Sequence, residues 1–166
     1  MGFSIYFMRV AQDRQLDADR DGIVDFLDRR GLHVVANPHG CSILDNEGVP
    51  VKFDGYHSDL LIDSLEQDKP LTGGIDHATL TNDECEFVYD LCVAAGFLIV
   101  NPQGSPTYVV PHRNHMPDDL PDLDDTAWVE SGSELSQALT GSFGDFRVFR
   151  NRVISQSTDT DTDTDG

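Results

Sequence analysis

The run Phe3-Ser-Ile-Tyr-Phe-Met-Arg-Val10 puts apolar residues on both alternating sides of an extended chain, the pattern of a central strand covered on both faces. Such a strand needs a partner on each edge, so it commits the chain to a sheet. Residues 32–36 form a β-branched run, and residues 97–100 and 107–110 read as buried strands joined by the turn chemistry of Asn101-Pro-Gln-Gly-Ser-Pro106. Residues 41–44 and 49–53 flank Asp45-Asn-Glu-Gly48, which predicts a hairpin with a four-residue loop. Residues 126–130 suggest one more strand. Alternation in residues 143–154 suggests a last one.

Helical periodicity appears in three places. Around residues 20–30, Ile23, Val24 and Leu27 share a face, Asp25 and Arg29 are spaced for an ion pair, and Gly31 is placed to end the helix. Over residues 82–95, Thr81 and Glu84 form a capping box, Cys85, Val88, Leu91, Cys92 and Ala95 share a face, and Gly96 closes it. Ser131 and Glu134 cap a shorter helix carrying Leu135, Ala138 and Leu139 up to Gly141. Strands and helices do not alternate strictly. The expected class is therefore α+β: one domain over residues 1–155, with a mixed or antiparallel sheet packed with two to three helices. Thr158 to Gly166 alternates Thr and Asp without an apolar residue, so residues 156–166 are expected to form a disordered acidic tail.

The 166 residues, 39% of them hydrophobic, suffice for one core. No apolar run approaches the roughly 18 residues of a membrane span, and the start lacks the basic-then-apolar order of a signal peptide. Three cysteines in such a chain argue against a disulfide framework. Cys85 and Cys92, two helical turns apart, are too distant to bridge. A reducing cytoplasmic setting follows as the expectation, with no membrane contact.

Charge narrows the partner. The formal net charge is −19, and it is uneven: residues 1–52 hold eight acids against six bases, whereas residues 53–145 hold eighteen against two. A field of that sign repels nucleic-acid phosphates and anionic membranes and steers basic proteins inward. Arg147, Arg150 and Arg152 cluster late in the chain, but three cations against −19 do not supply phosphate neutralisation. Direct nucleic-acid binding is not expected. The dominance of aspartate over glutamate, twenty-four to six, fits either high-salt adaptation or codon bias.

Motifs for chemistry are sparse. Asp17-Ala-Asp-Arg-Asp-Gly-Ile-Val-Asp-Phe-Leu-Asp28 offers Asp17, Asp19, Asp21, Asp25 and Asp28 at calcium-loop spacing, with a glycine at the sixth position. Its twelfth position is Asp28 in place of the bidentate Glu, and the same residues read equally as an N-capped helix with acids in its first turn. His112 and His115 have the spacing of a zinc pair, with Asp118 and Asp119 nearby, or belong to a solvated loop. His33, His39, His57 and His77 are scattered. Asp54-Gly-Tyr-His-Ser-Asp59 has the residue types of a hydrolase triad, but a triad is made by geometry, and sequence neighbours seldom achieve it. Ser105 and Ser133 follow glycines without a nucleophile elbow. No phosphate loop or dinucleotide fingerprint occurs. Cys85 and Cys92 lie on an apolar helix face, as buried small residues do. No cofactor and no catalytic residue is expected.

The segment Pro117-Asp-Asp-Leu-Pro-Asp-Leu-Asp-Asp125 is the strongest candidate for binding. It sets Asp118, Asp119, Asp122, Asp124 and Asp125 around Leu120 and Leu123, followed by the lone tryptophan, Trp128. Apolar anchors ringed by acids suit a basic groove, the charges setting on-rate and the apolar groups lifetime. The alternative is a solvated loop pinned by its leucines. The opening Met1-Gly-Phe-Ser-Ile-Tyr-Phe-Met-Arg, the Asp19-Arg-Asp-Gly-Ile-Val-Asp-Phe-Leu stretch and Val129-Glu-Ser-Gly-Ser-Glu-Leu together resemble small acidic bacterial proteins of unassigned function, some of them similar to immunity proteins of toxin systems. That resemblance implies a stoichiometric inhibitor of a basic effector and transfers no catalytic residue. Two readings stand: a non-enzymatic acidic interaction protein, or a calcium- or zinc-binding domain or small enzyme.

Overall fold

The computed structural model describes residues 3–140 apart from 13, 38, 39, 54, 58, 104 and 105. The expected strand over 143–154, Arg147, Arg150 and Arg152, and the Thr/Asp tail lie outside the described residues. In chain order the elements are β1 (Phe3–Ala11), β2 (Arg14–Leu16), α1 (Arg20–Arg29), β3 (Leu32–Asn37), β4 (Gly40–Asp45), β5 (Lys52–Phe53), β6 (Tyr56–His57) and β7 (Asp59–Ile62). They continue as β8 (Gly73–Ala78), α2 (Asn82–Ala95), β9 (Leu98–Val100), β10 (Tyr108–Pro111), β11 (Thr126–Val129) and α3 (Gly132–Thr140).

The main sheet runs β11-β10-β9-β1-β8-β7-β4-β3, with β2 added beside the end of β1. Among the described residues only β10 and β11 pair in parallel; the other pairs are antiparallel. A mixed sheet with three helices among the described residues is the α+β single domain that the element order predicts.

Register sorts the residues into two faces. Ala36, Cys41, Ile62, Gly73, Phe7, Ile99, Val109 and Ala127 form one row across the sheet. Phe7, Ile99, Val109 and Ala127 are wholly buried, and they join Ile23 and Leu27 of α1, Val88 and Leu91 of α2, and Leu135 and Ala138 of α3 in one core. The next row, Val35, Ser42, Leu61, Gly74, Tyr6, Val100, Tyr108 and Thr126, faces the other way. Here the expectation for β1 needs correcting. It is central, but among the described residues its second face is covered only towards Val10, and Tyr6 is 44% exposed.

The helices begin and end as their sequences dictate. Asp19 caps α1 by accepting from the Gly22 N–H at 2.9 Å. The buried stripe of α1 is Ile23, Phe26 and Leu27, with Val24 exposed instead of inward. Thr81 caps α2 through the Glu84 N–H, and Gly96 closes it at φ 74°. The Glu84 carboxylate, itself buried, accepts from the Thr79 and Leu80 N–H groups at 2.9 and 3.0 Å, one step upstream of a standard box. Ser131 caps α3.

The predicted hairpin is only partly realised. The Asp45 N–H donates to the Val49 carbonyl and the Val51 N–H to the Ile43 carbonyl. The ladders of β4, however, belong to β3 and β7. Lys52–Phe53 and Tyr56–His57 pair with each other as the separate β5–β6 ribbon. Phe53 anchors that ribbon on Phe87, whose ring also meets Phe26, at centroid distances of 5.1 and 5.4 Å. A rigid strut holds the span between β7 and β8: the Arg20 guanidinium donates to the carbonyls of Leu65, Gln67 and Lys69 while pairing with Asp17.

Helices α2 and α3 touch backbone to backbone at Gly132, where an added Cβ would lie 2.5 Å from the Glu86 Cα. Gly132→Ala is expected to force the two helices apart and destabilise the protein by about 1–3 kcal/mol. Urea unfolding followed by circular dichroism measures it.

Candidate functional site

After β10 the chain crosses the sheet face away from the helices to reach β11. His115 fixes the start of this crossing. It is 4% exposed, its Nε2 accepts the Val10 N–H at 3.1 Å, and its Nδ1 lies 2.7 Å from the Asn114 Oδ1. Accepting at Nε2 places the ring proton on Nδ1, so the imidazole is neutral. Asn114 Nδ2 in turn donates to the Phe97 carbonyl at 2.7 Å. His112, by contrast, is exposed and faces Glu130 at 3.7 Å, beside the Arg113–Glu130 pair. The two histidines are thus not brought together as a zinc pair.

Residues 117–125 form two single 3-10 turns, Pro117–Asp119 and Leu123–Asp125. Two of the five aspartates are structural. Asp119 accepts the Met116 N–H at 3.0 Å, and Asp125 accepts the Thr107 hydroxyl. Leu120 packs on Val110 and Trp128 in a small cluster separate from the main core. Trp128 is 2% exposed, and its Nε1 has no hydrogen-bond partner among the described residues. The sequence grouped Leu120, Leu123 and Trp128 as one presented set. In the fold Trp128 is the floor, Leu120 is the pin, and Leu123 with Asp118, Asp122 and Asp124 remains exposed. Met116, 66% exposed, stands beside them.

Where the loop meets the β1–β2 hairpin there is a cleft of about 540 Å³ edged by Val10, Gln12, Arg14, Asp118, Leu120 and Pro121. Further along the same face two adjoining hollows, about 190 and 390 Å³, share Leu61 and Asp76. Tyr6 and Gly74 border the first, Asp59 and His77 the second. No periodic signal marks this region: β7 and β8, like β2, are short and interrupted by Gly, Asp or Gln, and neither the helical nor the strand period stands out.

The calcium-type residues are dispersed by the helix they start. Asp17 pairs with Arg20 and accepts the Leu71 N–H at 3.0 Å, Asp19 is the cap, Asp25 pairs with Arg29, and Asp21 and Asp28 point to solvent. The Leu71 N–H, with Arg20 beside it, holds the Asp17 carboxyl below its ordinary value. Among the described residues no three His, Cys, Asp or Glu side chains converge as a metal site.

Cys41, Cys85 and Cys92 are free and buried. Burial raises the Cys85 thiol to about 12 and Cys92 well above its ordinary value, so neither is poised as a nucleophile. Of the triad-type stretch, Asp54 and Ser58 lie outside the described residues, as do His39 and Ser105, and Ser133 is an exposed residue of α3.

Comparison with known proteins finds no match: no family model, no curated protein and no solved structure is similar to the chain. No helix among the described residues is long and apolar enough to cross a membrane.

Desolvation holds His115 neutral and depresses its pKa from 6.5 to about 4, with Asp119 opposing and Arg9 assisting. The unfolded chain takes up this proton near 6.5 and the folded chain only near 4. The contribution is therefore complete above the upper value and lost as pH falls through the window. The unfolding free energy measured by urea titration is expected to decline between pH 6.5 and 4 by an amount on the order of 3 kcal/mol. His115→Gln, measured over the same range, should flatten that decline.

Proposed function

We propose that this chain is a non-enzymatic acidic interaction protein that neutralises a basic protein effector, in the manner of an immunity protein or inhibitor. The observation that carries the reading is the exposed edge of residues 117–125. Asp118, Asp122 and Asp124 flank Leu123 on a loop whose underside is pinned by Leu120 to Val110 and Trp128. A rigid acidic loop loses little entropy on docking. Its charges accelerate encounter with a cationic surface, and Leu123 and Met116 supply apolar contact once the surfaces meet. The net charge of −19 extends the attraction over the whole molecule and disfavours nucleic acid as the direct ligand. A cytoplasmic setting, where free cysteines stay reduced, belongs to the same reading.

The test is co-expression with the product of the adjacent reading frame in the source genome. The expected result is a stoichiometric complex that suppresses that product's activity. Its association should slow by about tenfold or more as salt rises from low to several hundred millimolar. Asp118→Asn, Asp122→Asn and Asp124→Asn combined should lower the association rate and leave the fold intact. A complex that forms at the same rate in all these conditions, or no complex at all, contradicts the proposal.

A further inference from the structure

We propose that the open half of the sheet face, centred on Tyr6, is a socket for an arginine side chain presented by the basic partner. This deepens the reading above and rests on it. The floor is bare backbone. A Cβ on Gly74 would lie 2.8 Å from the Ile5 carbonyl and 3.1 Å from the Tyr6 ring, and one on Gly73 2.9 Å from the Leu61 carbonyl. Glycine is therefore required at position 74, where the Tyr6 ring leans over β8, whereas a Cβ on Gly73 would point to Phe7 on the helix side. The ring is 44% exposed.

The walls select charge. Asp59 and Asp76 are direct cross-strand partners on this face, and like charges placed opposite one another destabilise a sheet. Asp76 accepts the Ser4 hydroxyl at 3.2 Å, and Asp59 meets His77 at 3.1 Å. Neither hollow has a lysine or arginine among its described lining residues. A cation seated between the two carboxylates offsets their repulsion. A flat aromatic face beside a carboxylate favours guanidinium over ammonium, because arginine stacks on the ring and still donates in the plane to oxygen.

A second copy of this chain is the wrong occupant, since it would bring Asp59 and Asp76 against a surface of the same sign. Anionic lipid and nucleic acid fail for the same reason. Leu61, Val100 and Tyr108, in the same cross-strand row as Tyr6, continue the surface on either side for the residues that flank the arginine.

Titration of octa-arginine, with octa-lysine as comparison, into the ¹⁵N-labelled full chain tests this by NMR. The amides of Tyr6, Leu61, Gly74 and Asp76 should shift most, and octa-arginine should bind tighter than octa-lysine. Tyr6→Leu, which keeps an apolar cover on Gly74, and Asp76→Asn should each weaken octa-arginine by roughly two- to fivefold. Their spectra report whether the fold is intact, and Asp76→Asn decides alone if Tyr6→Leu unfolds. Shifts confined to residues 117–125 or to the Thr/Asp tail overturn the socket while leaving the acidic-interaction reading in place. Equal affinity for the two peptides also overturns it. No binding of either peptide at low salt overturns both.

Discussion

The structure depends on β1 having only one dry side. Phe7, fully buried in the middle of the cross-strand row, gives the three helices a continuous apolar platform. Burying one such side chain contributes roughly 1.5–3 kcal/mol. Because α1, α2 and α3 all bury their apolar stripes in that one core, no helix among the described residues covers the opposite face. The crossing from β10 to β11 therefore serves as a roof over Val110 and Trp128, and it stops short of Tyr6. The acidic loop and the open hollow are both consequences of that uneven cover.

Residues with periodic signals were legible in the sequence. The α2 helix, with Thr81, Gly96 and its Cys85-to-Ala95 face, is written at every level at once, because propensity, capping and burial agree there. α1 was legible except for its exact face: Phe26 is buried and Val24 is not, since Phe26 packs on Phe87 of α2. β7 and β8 were not legible. Asp59, Gly73, Gly74 and Asp76 carry no strand propensity, and their pairing is imposed by neighbours far away in the chain. For the same reason β4 exchanged its expected hairpin partner for β3 and β7.

The candidate site shows the same division. A single sequence displays the clustering of Asp118 to Asp125, but not which members hold the loop and which face outward. Asp119 and Asp125 are occupied by Met116 and Thr107, and Trp128 lies beneath. His112 and His115, equivalent on paper, are separated by burial: one meets Glu130 at the surface, and the other stitches the loop to Val10. The aspartates from Asp17 to Asp28 were spaced for a cation, yet the helix begun at Asp19 turns them in different directions. Spacing becomes a site only when backbone geometry makes the side chains converge.

The uneven cover of the sheet is tested most directly by NMR relaxation in the presence of a soluble, uncharged gadolinium chelate. With one face under helices and the other open, the side-chain protons of Tyr6 should relax strongly. Those of Phe7 on β1, Ile62 on β7 and Ile75 on β8, which face the helices, should be unaffected. Protection of Tyr6 equal to that of Phe7 would mean that this face is covered in solution, and would contradict both the one-sided sheet and the sites built on it.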